Sequence, residues 1–365
     1  MSSQTFGKYE RSILFFASLF IPAVLLAACN STGNNTHTMD KDAAENNDAD
    51  AAIDEGDDTV TPDQESLADQ ERTNQGDEID AWADQVDRNE SNNNWIGPDG
   101  GSVDRLRFVA FGDVRPPAID QDDAYPSHVV NQIFRQLAVR NPQFVIGVGD
   151  WVFASDYNHA KTQMQFLLDA EKPYAHFVFH IMGNHECNGW TDSNCPEGDE
   201  TGQVRAYYEL LWNFSTKPYF RFDVQTSFGD AKFVITAPNA WNSAQEDWLR
   251  RTLNDPTPYT FILRHEPPDA TRAPGVGPSE TIIKSHKDNT LIIYGHVHHY
   301  EHLSTNEVIS GNGGAPLSGP DSGHFFGYLL VEQLFDGNIQ VSEYKEGSDE
   351  LKDRFVLGPN GKAVN

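Results

Sequence analysis

The chain holds 365 residues with a formal net charge of −29, from 55 Asp or Glu against 26 Lys or Arg. No stripe of Lys and Arg runs along it, which excludes binding to long nucleic acid through the phosphate backbone, because that contact rests on clustered cations. A short nucleotide held by metal ions remains compatible, and the acidic balance itself says nothing about fold.

Residues 1–28 read as a targeting segment. Lys8 and Arg11 give a weakly positive start, and the apolar run over residues 13–26 is too short to span a bilayer comfortably, so it fits a signal-peptide core. Leu26, Ala27, Ala28 and Cys29 then follow in an order that resembles the cleavage box of bacterial lipoproteins, in which the Cys becomes the new N-terminus and carries the lipid. The resemblance implies a membrane partner through a lipid anchor at Cys29, with several acyl chains for stable anchoring. Ordinary secretion with an incidental Cys is the alternative. Asn30 stands where an Asp would resemble an inner-membrane retention signal, so the expected place is the outer membrane or cell surface.

Residues 29–102 read as an acidic linker. Positions 30–100 carry 20 Asp or Glu against 3 Lys or Arg, with large apolar side chains nearly absent. Such a segment cannot bury enough apolar area to offset chain entropy, which predicts a disordered spacer. The oxygen spacing of an EF-hand loop is missing from it.

The folded domain is expected over residues 103–345, with 346–365 as a C-terminal tail. Apolar runs of strand length occupy residues 106–111, 144–148 and 177–181, each followed by Gly or a polar turn. Helical spacing lies between them. Val129, Ile133, Phe134 and Leu137 mark residues 128–140, and Met164, Phe166, Leu167 and Leu168 mark 158–170. Strands are predicted at 219–224, 232–236, 259–263 and 291–294, with a helix over 245–253. A final antiparallel pair is predicted at 325–331 and 339–344. Strand and helix in alternation imply a layered α/β domain with right-handed crossovers. Cys187 and Cys195 remain as a pair once Cys29 is set aside, and in an oxidising compartment two nearby Cys tend to form a disulfide. A Cys metal site or nucleophile is the weaker alternative, since no Cys-x-x-Cys spacing occurs.

Polar groups recur where the predicted strands end. Gly112-Asp113-Val114-Arg115 follows the first, Gly149-Asp150 the second and Gly183-Asn184-His185-Glu186 the third. Arg264-His265 and then Gly295-His296-Val297-His298 follow two later ones. Open α/β sheets form ligand sites at the carboxyl ends of their strands, so all five groups point to one place. Each alone has a plainer meaning: a strand-end Asp caps helices, a lone His is a satisfied structural residue, and His296, His298, His299 and His302 could form an unspecific metal-binding tract.

This order resembles the calcineurin-like metallophosphoesterase superfamily, whose pattern runs Asp-x-His, Gly-Asp, Gly-Asn-His-Asp/Glu, His, Gly-His-x-His. The resemblance covers about residues 103–345 and implies a two-sheet β sandwich flanked by helices, with a two-metal site at one edge. Carried over, Asp150 bridges the ions, Asp113 and His298 join it on the first, and Asn184, His265 and His296 hold the second. His185 becomes the acid or electrostatic group beside the leaving oxygen. Mixed carboxylate, amide and imidazole ligands suit Fe, Zn or Mn as divalent or trivalent ions. A small phosphoester is the implied substrate, since neutralising its oxygens is the main task of phosphoryl transfer.

Two residues depart from that pattern. Arg115 stands where most members have a metal-binding His, and Phe153 stands where purple acid phosphatase-like relatives recruit a Tyr. The first ion is therefore expected to bind weakly, unless another group such as Tyr157 completes it. A Gly-Asp-x-Arg start resembles a recurring branch of the superfamily, so Arg115 reads as a bidentate clamp on phosphate, with a structural ion pair as the alternative. Residues 311–317 lack the Lys and Ser/Thr of a phosphate loop and read as a tight turn near the site. Trp248 and Leu249 read as core. The leading expectation is a phosphoric ester hydrolase; a surface protein that binds a phosphoryl ligand without turnover is the alternative.

Overall fold

The computed structural model describes residues 95–188, 201–318 and 324–364. The lipid anchor at Cys29, the targeting segment, most of the acidic linker and Cys195 lie outside the described residues.

Two sheets face each other. The first has six strands: β2 (Arg107–Phe111), β3 (Phe144–Gly147) and β4 (Phe177–His180) run parallel, and β11 (Gly327–Gln333), β12 (Ile339–Lys345) and β13 (Leu351–Leu357) extend it antiparallel from β2. The second has seven, in the order β1 (Gly101–Ser102), β5 (Phe220–Thr226), β6 (Gly229–Thr236), β7 (Tyr259–Arg264), β8 (Leu291–Tyr294), β10 (Glu307–Ser310) and β9 (Tyr300–Ser304). Strands β6, β7, β8 and β10 are parallel there. This is the two-sheet sandwich that the family resemblance implies.

Period-2 alternation builds the core between the sheets. Phe108, Phe144 and Phe179 point inward from the first sheet and meet Phe222, Phe233 and Phe261 from the second. Phe233 alone lies 4.7–5.2 Å, ring to ring, from Phe108, Phe144, Phe222 and Phe261. The intervening residues face outward. Val234, Ile262 and Ile292 pack under Leu249 and Leu253 of α5 (Ser243–Asn254) and Ile282 and Ile283 of α6 (Val276–Ser285). On the other side, α1 (Ser127–Arg140) and α2 (Tyr157–Glu171) flank the first sheet, with Phe134 against Phe111. The short helices α3 (Asn184–Asn188) and α4 (Gly202–Leu210) follow β4. Leu249 is buried and Trp248 packs beside Tyr219, so both serve the core.

Both domain boundaries need correction. Residues 346–365 are not a tail: β13 pairs with β12 over Leu351 to Leu357, and Val364 donates its N–H to Val356. Its charged run Lys352-Asp353-Arg354 hides the alternation that marks inner strands, as suits an edge strand protected against further pairing. At the other end, the folded part begins before residue 103. Ile96 is fully buried, Trp95 packs edge-on to Phe177, and β1 pairs with β5. One buried aliphatic within an Asn- and Gly-rich stretch leaves no periodic signal.

Candidate metal centre

The parallel strands of both sheets deliver their carboxyl ends to one edge. Asp113 follows β2, Asp150 follows β3, Asn184 opens α3 after β4, His265 follows β7, and His296 and His298 follow β8. Asp113, Asp150 and His296 have φ of 58°, 59° and 71°, in the left-handed region that few non-Gly residues enter and that Asp and His enter more readily than most. Three such turns at one edge suit residues that must bend the chain sharply to aim a ligand atom. Gly183 has no alternative for a different reason: a Cβ there would lie 2.3 Å from Asp150 Oδ1.

The donor atoms converge as two overlapping sets. Ligand atoms of Asp150, His265 and His296 lie within 4.8 Å of one another, as do those of Asp113, Asp150 and His298, and Asp150 is common to both. Asn184 belongs with the first of these sets. Its Oδ1 is 3.2 Å from His265 Nε2 and 3.0 Å from His296 Nδ1. His265 Nδ1 lies 2.6 Å from the Val148 carbonyl and so donates its proton there, which leaves the Nε2 lone pair facing Asn184 Oδ1 and, at 3.2 Å, Asp150 Oδ1. Acceptors do not gather around an unprotonated nitrogen without a positive charge among them, supplied by a second proton or by a metal ion. Burial opposes charge on His265, yet Asp150 and Asp113 hold its pKa well above the ordinary imidazole range. Asp150 shows the reciprocal effect: burial raises its pKa, but His265, His185 and Arg115 hold it well below the usual carboxylate range.

Asp113 is fully buried. Its Oδ2 accepts the His296 N–H at 2.9 Å, while Oδ1 has no hydrogen-bond partner and lies 3.6 Å from His298 Nε2. Burial pushes this carboxyl well above its usual range, with the charge on Asp150 adding to the effect against His265. An orphaned, buried carboxylate oxygen beside an imidazole nitrogen is a place for a cation. The residues present therefore fit two metal ions: Asn184, His265 and His296 with Asp150 on one, Asp113 and His298 with Asp150 on the other.

His298 and Arg115 are in direct contact. His298 Nδ1 donates to the Pro316 carbonyl at 2.9 Å, and its Nε2 faces Arg115 Nη2 at 3.2 Å. Burial, then Arg115, pushes the His298 pKa down to about 4. Arg115 also donates to the Pro116 carbonyl and lies over the Phe153 ring at 4.8 Å. No carboxylate among the described residues is within ion-pair distance of it, so the structural ion pair weighed from the sequence does not form. Phe153 in turn meets the His185 ring edge-on at 4.7 Å, so this one non-ligating ring touches both the guanidinium and the imidazole. His185 is buried, with Nε2 3.7 Å from Asp150 Oδ2. Tyr157 is engaged elsewhere, donating to Glu209 at 2.6 Å.

Several functional contacts were not readable as such. Glu186 is fully buried and accepts three backbone N–H groups, from Asp150 (3.0 Å), Gly183 (2.8 Å) and Trp151 (2.6 Å). It ties the turns that carry Asp150 and Asn184 to each other. Its place in the Gly-Asn-His-Glu motif was the available signal. The carbonyls of Val148 and Pro316, which fix two imidazole orientations, carry no sequence signal at all. The run from Gly311 to Leu317 does turn against the site: Gly313 N–H bonds Gly112 O and Ala315 N–H bonds Asp113 O, at 2.8 and 2.7 Å. Cys187 is buried at the end of β4's following helix, while Cys195 lies outside the described residues.

Among solved structures, the fold is similar to that of a purple acid phosphatase isolated from yellow lupin (Lupinus luteus) seeds, with 17% identity and a TM-score of 0.53. That match covers 70% of this chain and 54% of the lupin protein, so the chain spans about half of its relative's length. A dimetal phosphatase from Danio rerio is also similar, at 12% identity and a TM-score of 0.48, covering 70% of this chain and 99% of that one. No curated protein matches the sequence. Residues 106–300, more than half of the chain and inclusive of every candidate ligand, match the family model described as calcineurin-like phosphoesterase, and the chain belongs to that family.

Proposed function

We propose that this chain hydrolyses phosphate mono- or diesters at the cell envelope, where a lipid at Cys29 would hold it. The observation that carries the reading is the meeting of Asn184 Oδ1, His265 Nε2, His296 Nδ1 and Asp150 Oδ1 around one point, on residues that are buried except for the half-buried His296, each atom 3.0–3.2 Å from another that could ligate a metal ion. Bound at such sites, paired ions supply Lewis acidity and bring the pKa of water near neutral.

The chain's own residues divide the remaining work. Asp150, held below the usual carboxylate range, contributes negative charge to both ligand sets. His185, beside Asp150 and edge-on to Phe153, would donate a proton to a departing alkoxide. Arg115 offers a planar fork to the non-bridging phosphoryl oxygens.

The Arg115–His298 contact gives weight to a second reading, a surface protein that binds a phosphoryl ligand through a single well-formed ion site and does not turn it over. One experiment separates the two: the purified chain, with Fe, Zn or Mn added back in turn, is assayed against a panel of mono- and diesters. Turnover that Asp150→Asn abolishes supports hydrolysis. Phosphate binding with no turnover under any metal supports the second reading.

A further inference from the structure

The guanidinium of Arg115 and the first candidate ion site draw on the same nitrogen. Because His298 Nδ1 is spent on the Pro316 carbonyl, Nε2 is the acceptor, and Arg115 Nη2 sits on it at 3.2 Å. Asp113 Oδ1, the other partner of an ion here, lies 3.6 Å from that same Nε2. One lone pair serves one N–H or one metal ion at a time. Arg115 and an ion therefore cannot both hold His298.

Arg115 is otherwise lightly tied. Nη1 donates to the Pro116 carbonyl at 3.3 Å, the guanidinium rests over Phe153, and Nε is buried with no hydrogen-bond partner. Nε and Nη2 form the side-on edge that matches two oxygens of a phosphoryl group, and Nε has no hydrogen bond to give up for one of them. The ring beneath is a fixed surface. Phe153 N–H donates to Gln163 Oε1 at 2.7 Å, and its carbonyl accepts from Asp120 N–H at 2.8 Å. A guanidinium can slide across such a face while keeping its cation–π contact.

We propose that Arg115 is an anion-operated latch on the first ion site, holding His298 Nε2 until a phosphoryl group takes its Nε–Nη2 edge, so that anion and first ion load together. The proposal rests on the reading above that Arg115 meets the phosphoryl oxygens. By linkage, the anion raises affinity for the ion by the same factor as the ion raises affinity for the anion.

The test is calorimetric titration of Mn2+ into the metal-stripped full chain, with and without inorganic phosphate, for the parent, Arg115→Ala and Arg115→Gln. Retention of the tighter Mn2+ shows that the variants are folded. Without phosphate, both variants should bind the weaker Mn2+ about 5- to 50-fold more tightly than the parent, within the usual span of coupling between sites. Phosphate should tighten the weaker ion in the parent and do so less in the variants, by about the same factor. An unchanged or lowered affinity in both variants overturns the latch. So does a phosphate effect that survives in full, because phosphate would then act by bridging the ions alone. Ester turnover is read on the same preparations. Turnover by the parent without the affinity change in the variants overturns the latch but not the hydrolase, whereas the affinity change with no turnover by the parent sustains the latch and overturns the hydrolase.

Discussion

Glu186 offers the sharpest test of how the centre is held. Its two oxygens accept the N–H groups of Asp150, Gly183 and Trp151 at 3.0, 2.8 and 2.6 Å, and all four residues are buried. In Glu186→Gln one oxygen becomes an NH2 of nearly the same shape. With the remaining oxygen kept on Asp150 and Gly183, the NH2 must face the Trp151 N–H, donor against donor. One charge-assisted bond is lost, at roughly 1.5–3 kcal/mol, and the other two become neutral and weaken by about a similar sum. Part of this is offset, because burial, with the charge on Asp150, already pushes the Glu186 pKa up to about 7 and the variant buries no charge. A net loss of about 2–4 kcal/mol is expected. Denaturation in urea at pH 7 reads it as a fall in midpoint with unchanged slope. Because Asp150 serves both ligand sets, affinity for both ions should fall together, as measured by titration with Mn2+. Stability within about 0.5 kcal/mol of the parent, with both ions bound as before, would refute the view that this carboxylate sets the position of Asp150.

Mild chelation followed by dialysis should leave one ion per chain, held by Asn184, His265 and His296, and remove the one beside Asp113. Elemental analysis checks this, and two equally retained ions would mean that a further ligand completes the first site. His185→Ala should slow hydrolysis of alkyl phosphates by about 10²- to 10⁴-fold and of nitrophenyl phosphate far less, since a good leaving group needs no proton. Equal losses on both substrates would remove His185 from proton donation. Burial holds Glu343 well above the usual carboxyl range, against the bond it accepts from Asn312 Nδ2 at 2.8 Å. Its folded form favours the neutral acid, so its contribution is complete below the unfolded pKa of about 4.3 and is lost as pH rises toward the folded value. Glu343→Gln keeps an acceptor for Asn312, and its melting temperature should therefore fall less than the parent's between pH 5 and 8; equal slopes would show that Glu343 does not titrate in this way.

The inner strands were legible because burial on both faces writes itself as apolar runs. The predicted 291–294 coincides with β8, and 106–111 and 144–148 differ from β2 and β3 by one residue at one end. Elements at the periphery were not. β9 is almost wholly exposed, β13 carries the charged run Lys352-Asp353-Arg354, and β1 owes its pairing to a two-residue contact with β5. Helix α6 begins Val276-Gly277-Pro278, three residues that read together as a loop. Pro278 is tolerated because the N–H it lacks belongs to the first turn, where no carbonyl waits for it. What decides these elements is the partner across the chain, and periodicity within a window cannot carry that information.

The candidate ligands were legible for the opposite reason. Each is a residue type with metal-binding chemistry placed just beyond a strong strand signal, and parallel strands bring their ends to one edge whatever the intervening length. Arg115 shows where such reasoning stops. The sequence tells that a guanidinium takes the place of an imidazole two residues after Asp113, and charge alone argues that it should avoid a cation site. In the structure it is turned onto His298 Nε2, because Pro316, some two hundred residues along the chain, fixes that nitrogen as an acceptor, and Phe153, from the strand end beside it, supplies the face on which the guanidinium rests. Neither the carbonyl of a Pro nor the ring of a Phe has a sequence signature for this use. A substitution that looked like the loss of a ligand is thus, in three dimensions, a second claimant on the ligand that remains.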